Sequence, residues 1–125
     1  MIIGTGIDLL ENKRIGELVD RWGNKFLRKI YTENEINYCN KKKNIQCLAA
    51  RFAVKEAVVK VLGTGIGAVA WKEIEVINNA KGKPVVFLNN KAKALAWDLK
   101  ITKLHISISH EKEYTIAMAI AEKEV

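Results

Sequence analysis

The sequence has little proline, few aromatic residues and no long apolar run. Among its 125 residues are one proline and eight glycines, with no repeat and no Gly/Ser-rich linker, which favours one ordered domain spanning residues 1–125. Aromatic residues make up 7% and apolar residues 49%, so the core must consist mainly of Ile, Val, Leu and Ala. No segment approaches the roughly 18 uncharged apolar residues that a membrane span requires.

Cysteine is equally scarce, and its placement excludes the common cysteine-based sites. Cys39 and Cys47 lack the CxxC spacing, and no histidine lies near either, so a zinc site is not expected. Free thiols in a reducing compartment are the expectation. Residues 1–11 lack the basic head and long apolar stretch of a signal peptide, so we expect a cytoplasmic protein.

Positive charge is in excess, since 21 basic residues face 14 acidic ones and the formal net charge is +7. Such a protein attracts anionic partners, which include nucleic acid, an anionic cofactor and an acidic protein. Nucleic-acid binders often interleave aromatic and basic residues, and the run Lys41–Lys43 has no such interleaving. We therefore interpret this run as a solvated loop between two helices and expect no nucleic-acid binding.

Hydrophobic periodicity predicts an α+β domain in which a largely antiparallel sheet packs against a long buried helix. That helix is Gln46–Leu62, because 12 of its 17 residues are apolar and surround the helical wheel, with Gly63 just beyond its end. Thr32 and Glu35 form a capping box that starts another helix. Further helices are expected at 12–22, 24–30 and 90–98, and strands at 2–8, 71–77, 85–88, 104–109 and 114–121, the last two forming a hairpin.

The buried helix carries four charges, and two interpretations fit them. Glu56 and Lys60 lie four residues apart on one face, and Arg51 and Lys55 lie four apart on a neighbouring face, so a set of ion pairs at the helix surface is one interpretation. Alternatively, Glu56 is a carboxylate flanked by phosphate-binding cations and holds Mg²⁺. Asp8, expected at a strand end, is either a helix cap or a second ligand beside Glu56.

Other polar motifs are weaker. Alternation along the strand 104–109 places His105, Ser107 and Ser109 on one face, which suits either solvent contact or phosphate and ribose binding, while His110 is expected to point elsewhere. The loop Gly63–Gly67 follows a helix rather than preceding one, so a helix cap and turn is the better interpretation and a phosphate-binding nest is the alternative. Gly82-Lys83-Pro84 reads first as a turn.

Taken together, these motifs resemble those of the bacterial holo-acyl-carrier-protein synthases. The shared order runs from Gly6-Ile7-Asp8, through Arg51-Phe52-Ala53-Val54-Lys55-Glu56-Ala57 with Lys60 and Gly63-Thr64-Gly65, to Gly82-Lys83-Pro84 and His105-Ile106-Ser107-Ile108-Ser109-His110. The resemblance extends from Met1 to Glu122. It implies transfer of 4′-phosphopantetheine from coenzyme A to a serine of apo-acyl carrier protein, which leaves adenosine 3′,5′-bisphosphate and supports fatty-acid biosynthesis.

The resemblance also implies residue roles. Asp8 and Glu56 would ligate Mg²⁺, Lys60 would lie near the coenzyme A pyrophosphate, and Arg51 would contact its 3′-phosphate. Lining residues of the cofactor site would be Gly63, Gly65, Lys83, Pro84, His105, Ser107 and Ser109. The general base stays open between Glu56, a water on the metal and His105.

Partners follow from the same resemblance. Small members of this family are similar in forming homotrimers with active sites between subunits. The acidic carrier protein would dock on the early helices through Arg14, Arg21, Lys25 and Arg28, although these cations also suit a merely solvated surface. Two rival hypotheses are a small basic nucleic-acid-binding module and a transferase that serves carrier domains of polyketide or peptide synthases.

Overall fold

The structure, a computed structural model, describes residues 1–63 and 67–124. In this part of the chain five helices and five strands follow one another. The strands are β1 (Ile2–Glu11), β2 (Ile74–Asn78), β3 (Pro84–Leu88), β4 (Lys103–His110) and β5 (Tyr114–Glu122). The helices are α1 (Asn12–Trp22), α2 (Asn24–Ile30), α3 (Glu33–Lys42), α4 (Ile45–Leu62) and α5 (Asn90–Asp98), with a 3-10 turn at Trp71–Glu73.

Two antiparallel sheets form around α4, as the α+β prediction requires. The larger has the order β1-β5-β4 and the smaller pairs β2 with β3. In the larger sheet Asp8 lies opposite Ala117, and Ile106 lies opposite Ala119. Alternate residues of β5 are small and buried, so the helix lies close against this face of the sheet.

Gly6 shows how close β1 and α4 come. A Cβ atom on this residue would lie 2.1 Å from the carbonyl oxygen of Ala57 and 3.1 Å from the Cβ of Lys60. Real Cβ atoms do not approach backbone oxygens so closely, so only glycine fits at this crossing. The contact sets the distance between the strand that carries Asp8 and the helix that carries Glu56.

Most boundaries agree with the sequence predictions. The Thr32–Glu35 capping box is present, and Gly63 ends α4 in a left-handed conformation with φ 74°. One prediction is wrong in detail, because β1 continues to Glu11 and Asp8 therefore lies within the strand rather than at its end. It does not cap α1, whose N-cap position is Glu11. A second difference is that Trp71–Glu73 forms a 3-10 turn before β2.

The expectation of free thiols is also wrong in the structure. Cys39 near the end of α3 and Cys47 near the start of α4 form a disulfide, with their Cα atoms 5.5 Å apart. The two helices are joined by a turn in which Lys43 takes a left-handed conformation and Asn44 caps α4. This reversal brings the two cysteines together, which their separation in the sequence did not reveal.

None of the helices among residues 1–63 and 67–124 combines the length and apolar character needed to cross a bilayer.

Candidate active site

A group that we term the carboxylate site lies where β1 meets α4, and it consists of Asp8, Glu56 and Lys60. The ammonium group of Lys60 donates a hydrogen bond to the carbonyl oxygen of Ile7 at 2.7 Å and lies 3.5 Å from Oδ1 of Asp8. Glu56 is one helical turn before Lys60 and is half-buried. The close approach at Gly6 brings these side chains of two distant segments together.

Burial disfavours the charged form of both carboxylates. Burial raises the pKa of Asp8, and this outweighs the lowering by Lys60 and Arg14. Burial likewise raises the pKa of Glu56, and the neighbouring charge of Asp8 raises it further against the effect of Lys60. Both groups would gain from a cation placed between them.

The carboxylate site could hold a metal only with ligands from outside the chain. The described residues contain no cluster of three or more His, Cys, Asp and Glu side chains suited to a metal ion. Asp8 and Glu56 supply two carboxylates, which fits Mg²⁺, since this ion commonly uses one or two carboxylates with substrate phosphates and waters.

A second feature, which we term the arginine cleft, is a groove of about 460 Å³ between α3, α4, the β2–β3 loop and the edge strand β4. Arg51 lies in its wall and is only 5% exposed. Its guanidinium donates to Oδ1 of Asn78 at 2.7 Å and to Sγ of Cys47 at 3.6 Å, and it lies over the ring of Tyr38 at 4.5 Å.

The guanidinium of Arg51 is not fully satisfied. Its Nε is buried and has no hydrogen-bond partner among the described residues. Burial lowers the pKa of Arg51, and the nearby charge of Glu35 acts in the opposite direction. A buried arginine of this kind in a groove wall suits recognition of an anion such as phosphate.

The surface ion pairs considered for α4 are not what the structure contains. Glu56 does not pair with Lys60, whose partner is Asp8. Lys55 is fully buried and pairs with Glu35 of α3 at 2.8 Å. Two cations of α4, Arg51 and Lys55, are therefore buried together with its apolar residues, and neither is a surface residue.

The three polar residues of β4 lie on the outward side of the larger sheet, as alternation predicted. His105 donates from Nε2 to Glu122 at 2.9 Å, and this bond lowers the pKa of Glu122. Ser107 reaches the arginine cleft, whereas Ser109 borders a small groove beside Leu9 and Tyr114. Neither His105 nor Ser109 lines the arginine cleft in this chain.

The four loop residues of the predicted cofactor site have four different outcomes. Pro84 lines the arginine cleft beside Gly82. Lys83 is exposed, and its backbone N–H donates to Asn79 rather than to the cleft. Gly63 ends α4, and a Cβ atom there would meet no heavy atom of the described residues within 4 Å, whereas Gly65 lies outside the described residues.

The proposed docking residues lie on α1 and α2 at the surface. Arg21 and Lys25 both lie over the ring of Trp22, at 5.2 and 5.7 Å from its centroid. Arg28 lies 3.9 Å from Glu33 in an exposed pair. Arg14 is close enough to the carboxylate site to lower the pKa of Asp8, so this basic surface borders the site.

Sequence reasoning missed several residues of the arginine cleft. His110 lines it, contrary to the expectation that it points elsewhere, as do Tyr38, Gln46 and Asn78. Asn78 is the residue that could have been noticed, because an amide next to a turn is well placed to hold a guanidinium. Tyr38 gave no signal, since its role depends on the packing of α3 against α4.

Comparison with known proteins agrees with this geometry. Residues 4–119 match the profile described as the 4′-phosphopantetheinyl transferase superfamily. The chain belongs to this superfamily. Among relatives, the holo-[acyl-carrier-protein] synthase of Halothermothrix orenii is 48% identical over 98% of this chain and 99% of its own length.

Solved structures of phosphopantetheinyl transferases share the fold. The holo-[acyl-carrier-protein] synthase of Neisseria meningitidis is 35% identical, with a TM-score of 0.90 over 98% of this chain and all of that chain. That of Bacillus anthracis, in complex with CoA (3′,5′-ADP), is 38% identical, with a TM-score of 0.82 over 99% of each chain. The α+β architecture expected from the sequence is therefore confirmed.

Proposed function

We propose that this phosphopantetheinyl transferase is a holo-[acyl-carrier-protein] synthase. It transfers 4′-phosphopantetheine from coenzyme A to a serine of apo-acyl carrier protein and releases adenosine 3′,5′-bisphosphate. The observation that carries the proposal is the pairing of Asp8 with Glu56 beside Lys60, which is an arrangement suited to a metal and a pyrophosphate. The names of the relatives and the buried Arg51 support it.

We assign Mg²⁺ to Asp8 and Glu56. When bound, the ion would neutralise charge on the pyrophosphate and ease departure of adenosine 3′,5′-bisphosphate. Lys60, held by the carbonyl of Ile7, would add positive charge beside the same phosphates. The serine hydroxyl attacks the β-phosphorus in line with the leaving oxygen, so holding both in place supplies much of the rate.

The leaving nucleotide would be held by the arginine cleft. Its 3′-phosphate would accept hydrogen bonds from Arg51, whose guanidinium lies in the cleft wall and donates to the neutral partners Asn78 and Cys47. Pro84 and Ser107, which line the arginine cleft, would form the rest of the nucleotide site, and Gly63 and Lys83 are assigned to it by the family resemblance alone. Two side chains, Glu56 and His105, are candidates to accept the serine proton.

The assembly that we propose is a homotrimer with sites between subunits. The outward side of the larger sheet, which we term the outer sheet face, exposes Leu9 at 65% and Ile7 at 55%, with Ile3 and Met118 also exposed. Such a contiguous apolar surface marks an interface. Because His105 and Ser109 lie on this face, they would reach the active site of a second subunit packed against it.

The trimer has a direct test. Sedimentation equilibrium should give three times the mass of the chain, and Leu9→Glu together with Met118→Glu should yield inactive monomers. A matched control is Glu17→Lys, a charge change on exposed α1 that should leave the trimer intact. A fully active wild-type monomer would disprove the assembly.

Acyl carrier protein would dock on Arg14, Arg21, Lys25 and Arg28, next to the carboxylate site. The proposal includes a cytoplasmic reaction that serves fatty-acid synthesis. A runner-up is service to carrier domains of polyketide or peptide synthases, which the same site chemistry allows.

Transfer itself is measured by mass spectrometry of the carrier. Incubation of the protein with apo-acyl carrier protein, coenzyme A and Mg²⁺ should add the phosphopantetheine mass to the carrier, and excess chelator should prevent it. A serine-to-alanine carrier is the control. No mass gain under any of these conditions would overturn the proposal, and a preference for polyketide or peptide carrier domains would favour the runner-up.

A further inference from the structure

The most deeply buried ion pair in the described chain lies outside both the carboxylate site and the lining of the arginine cleft. Side chains of Lys55 and Glu35 are 0% exposed, and Lys55 Nζ donates to Glu35 Oε1 at 2.8 Å. It also donates to the carbonyl oxygens of Trp71 and Ile74. Glu35 in turn accepts from the backbone N–H groups of Thr32 and Val76, both at 2.9 Å.

Arg51 lies on the same side of α4, one turn before Lys55, and faces the same helix. Lys55 lies over the ring of Tyr31 at 5.9 Å, and Arg51 lies over the ring of Tyr38 at 4.5 Å. These tyrosines flank Glu35 in the sequence. Burial lowers the pKa of Arg51, and the charge of Glu35 acts in the opposite direction. One carboxylate thus faces two buried cations.

Other carboxylates near this cluster are already engaged. Glu73 accepts the backbone N–H groups of Ala70 and Lys91. Glu75 accepts the hydroxyl of Thr32 and the amide of Asn34. In the described part of the chain, Arg51 has neither of them as a salt-bridge partner.

We propose that Lys55 is a positioning residue that occupies Glu35 and so keeps Arg51 free for a phosphate group of the nucleotide. The inference rests on the proposed function, since it concerns the ligand of Arg51. A carboxylate and a phosphate compete for the same guanidinium donors. With Lys55 removed, Glu35 is left buried and unpaired, and Arg51 is the nearest cation on that face of α4 that could neutralise it.

Binding of adenosine 3′,5′-bisphosphate, measured by titration calorimetry, tests the idea independently of turnover. Lys55→Met should weaken binding by about tenfold or more, as expected for loss of one charge-assisted contact. Binding of 5′-AMP, which lacks the 3′-phosphate, should change little. Lys55→Met combined with Glu35→Gln should restore bisphosphate binding to within about threefold of wild type, because the competing carboxylate is gone. Lys13→Met, which removes an exposed cation, is the matched control.

A purely structural role predicts a different result, in which the double variant binds as weakly as Lys55→Met or more weakly, and that result would overturn the inference. If circular dichroism shows that Lys55→Met does not fold, the inference is tested by bisphosphate binding to Glu35→Gln alone. It should bind the bisphosphate at least as tightly as wild type, whereas weaker binding would count against the inference. Failure of the wild-type protein both to bind the bisphosphate and to modify the carrier would instead reject the proposed function.

Discussion

The two sides of α4 treat buried charge in opposite ways. On the side that meets β1, Glu56 lies beside another carboxylate, and burial raises the pKa of both. On the side that meets α3, Lys55 lies beside Glu35, and each has several further hydrogen bonds. Charges that are fully paired within the chain need no outside ligand, whereas charges left in conflict indicate a missing one.

The largest expected effect comes from removing the conflicting carboxylates. Asp8→Ala and Glu56→Ala should each lower transfer by about 10³-fold, because loss of a metal ligand removes several kcal/mol of transition-state stabilisation. Unfolding should be little affected, since neither side chain makes a bond that the fold needs. Activity is followed by carrier mass and folding by circular dichroism. Near wild-type transfer in either variant would show that this side of α4 is not the active site.

A substitution at Gly6 tests whether the close spacing between β1 and α4 is what holds the Asp8 and Glu56 carboxylates in their buried positions. Gly6→Ala places a Cβ against the Ala57 carbonyl, so we expect overpacking to cost about 1–3 kcal/mol in the free energy of unfolding. A shift of about 1 Å in Asp8 should lower activity by roughly 10²-fold. Chemical denaturation and carrier modification measure the two effects.

Gly4→Ala is the matched control on the same strand. Its Cβ would lie 3.5 Å from the Val61 carbonyl oxygen, which is an ordinary contact. This variant should keep both stability and activity. Equal losses in the two variants would mean that general packing of β1, rather than the crossing at Gly6, controls the site.

The contrast between the two sides of α4 also explains what the sequence could predict. Element positions followed from periodicity, and the capping box at Thr32 and the glycine after α4 were readable directly. Asp8 and Glu56 were chosen by resemblance, and the structure brings them together. Spacing along α4 suggested pairs within the helix, yet Lys55 and Lys60 both pair with other segments. Long-range partners depend on packing, which local patterns do not encode.

Residues on the arginine cleft were harder to predict for the same reason. Tyr38, Asn78 and His110 come from three different elements and meet only after α3, the β2–β3 loop and β4 pack against α4. The disulfide between Cys39 and Cys47 depends on the reversal between two helices. His105 was predicted to line the cofactor site, and its position on the outer sheet face leaves that prediction dependent on a second subunit.

A smaller effect is expected from the basic residues of α1 and α2, whose charges are exposed rather than buried. Arg14→Glu together with Arg21→Glu should raise the KM for carrier protein by about tenfold at low salt and leave the KM for coenzyme A nearly unchanged. Each exposed contact is worth about 1 kcal/mol or less, so the double change is the fair test. The loss should shrink as salt rises, because screening weakens encounter.

The Arg51 variant provides the opposite pattern. Arg51→Ala should raise the KM for coenzyme A and spare that for carrier protein, because the side chain lies in the arginine cleft and away from α1. If the double reversal leaves the carrier KM unchanged at low salt, the docking surface lies elsewhere, and the early-helix cations only solvate the protein.

The smallest expected effect is a gain in stability. The pKa of Asp8 is raised in the folded protein above its ordinary value of 3.8, so the folded state binds protons more readily than the unfolded state. By linkage, the charged form of Asp8 destabilises the fold, and this cost grows as pH rises through the ordinary and the folded pKa values. Asp8→Asn should therefore slightly stabilise the metal-free protein at neutral pH. The gain should disappear in acid, below the ordinary pKa, where wild-type Asp8 is protonated in both states.

Urea denaturation at several pH values in chelator measures this gain in stability, and Asp20→Asn on exposed α1 is the control. Added Mg²⁺ should stabilise wild type more than the variant. A loss of stability at neutral pH would mean that the contact with Lys60 outweighs the cost of burying Asp8. The charge of Asp8 would then be compensated within the chain, as those of Lys55 and Glu35 are.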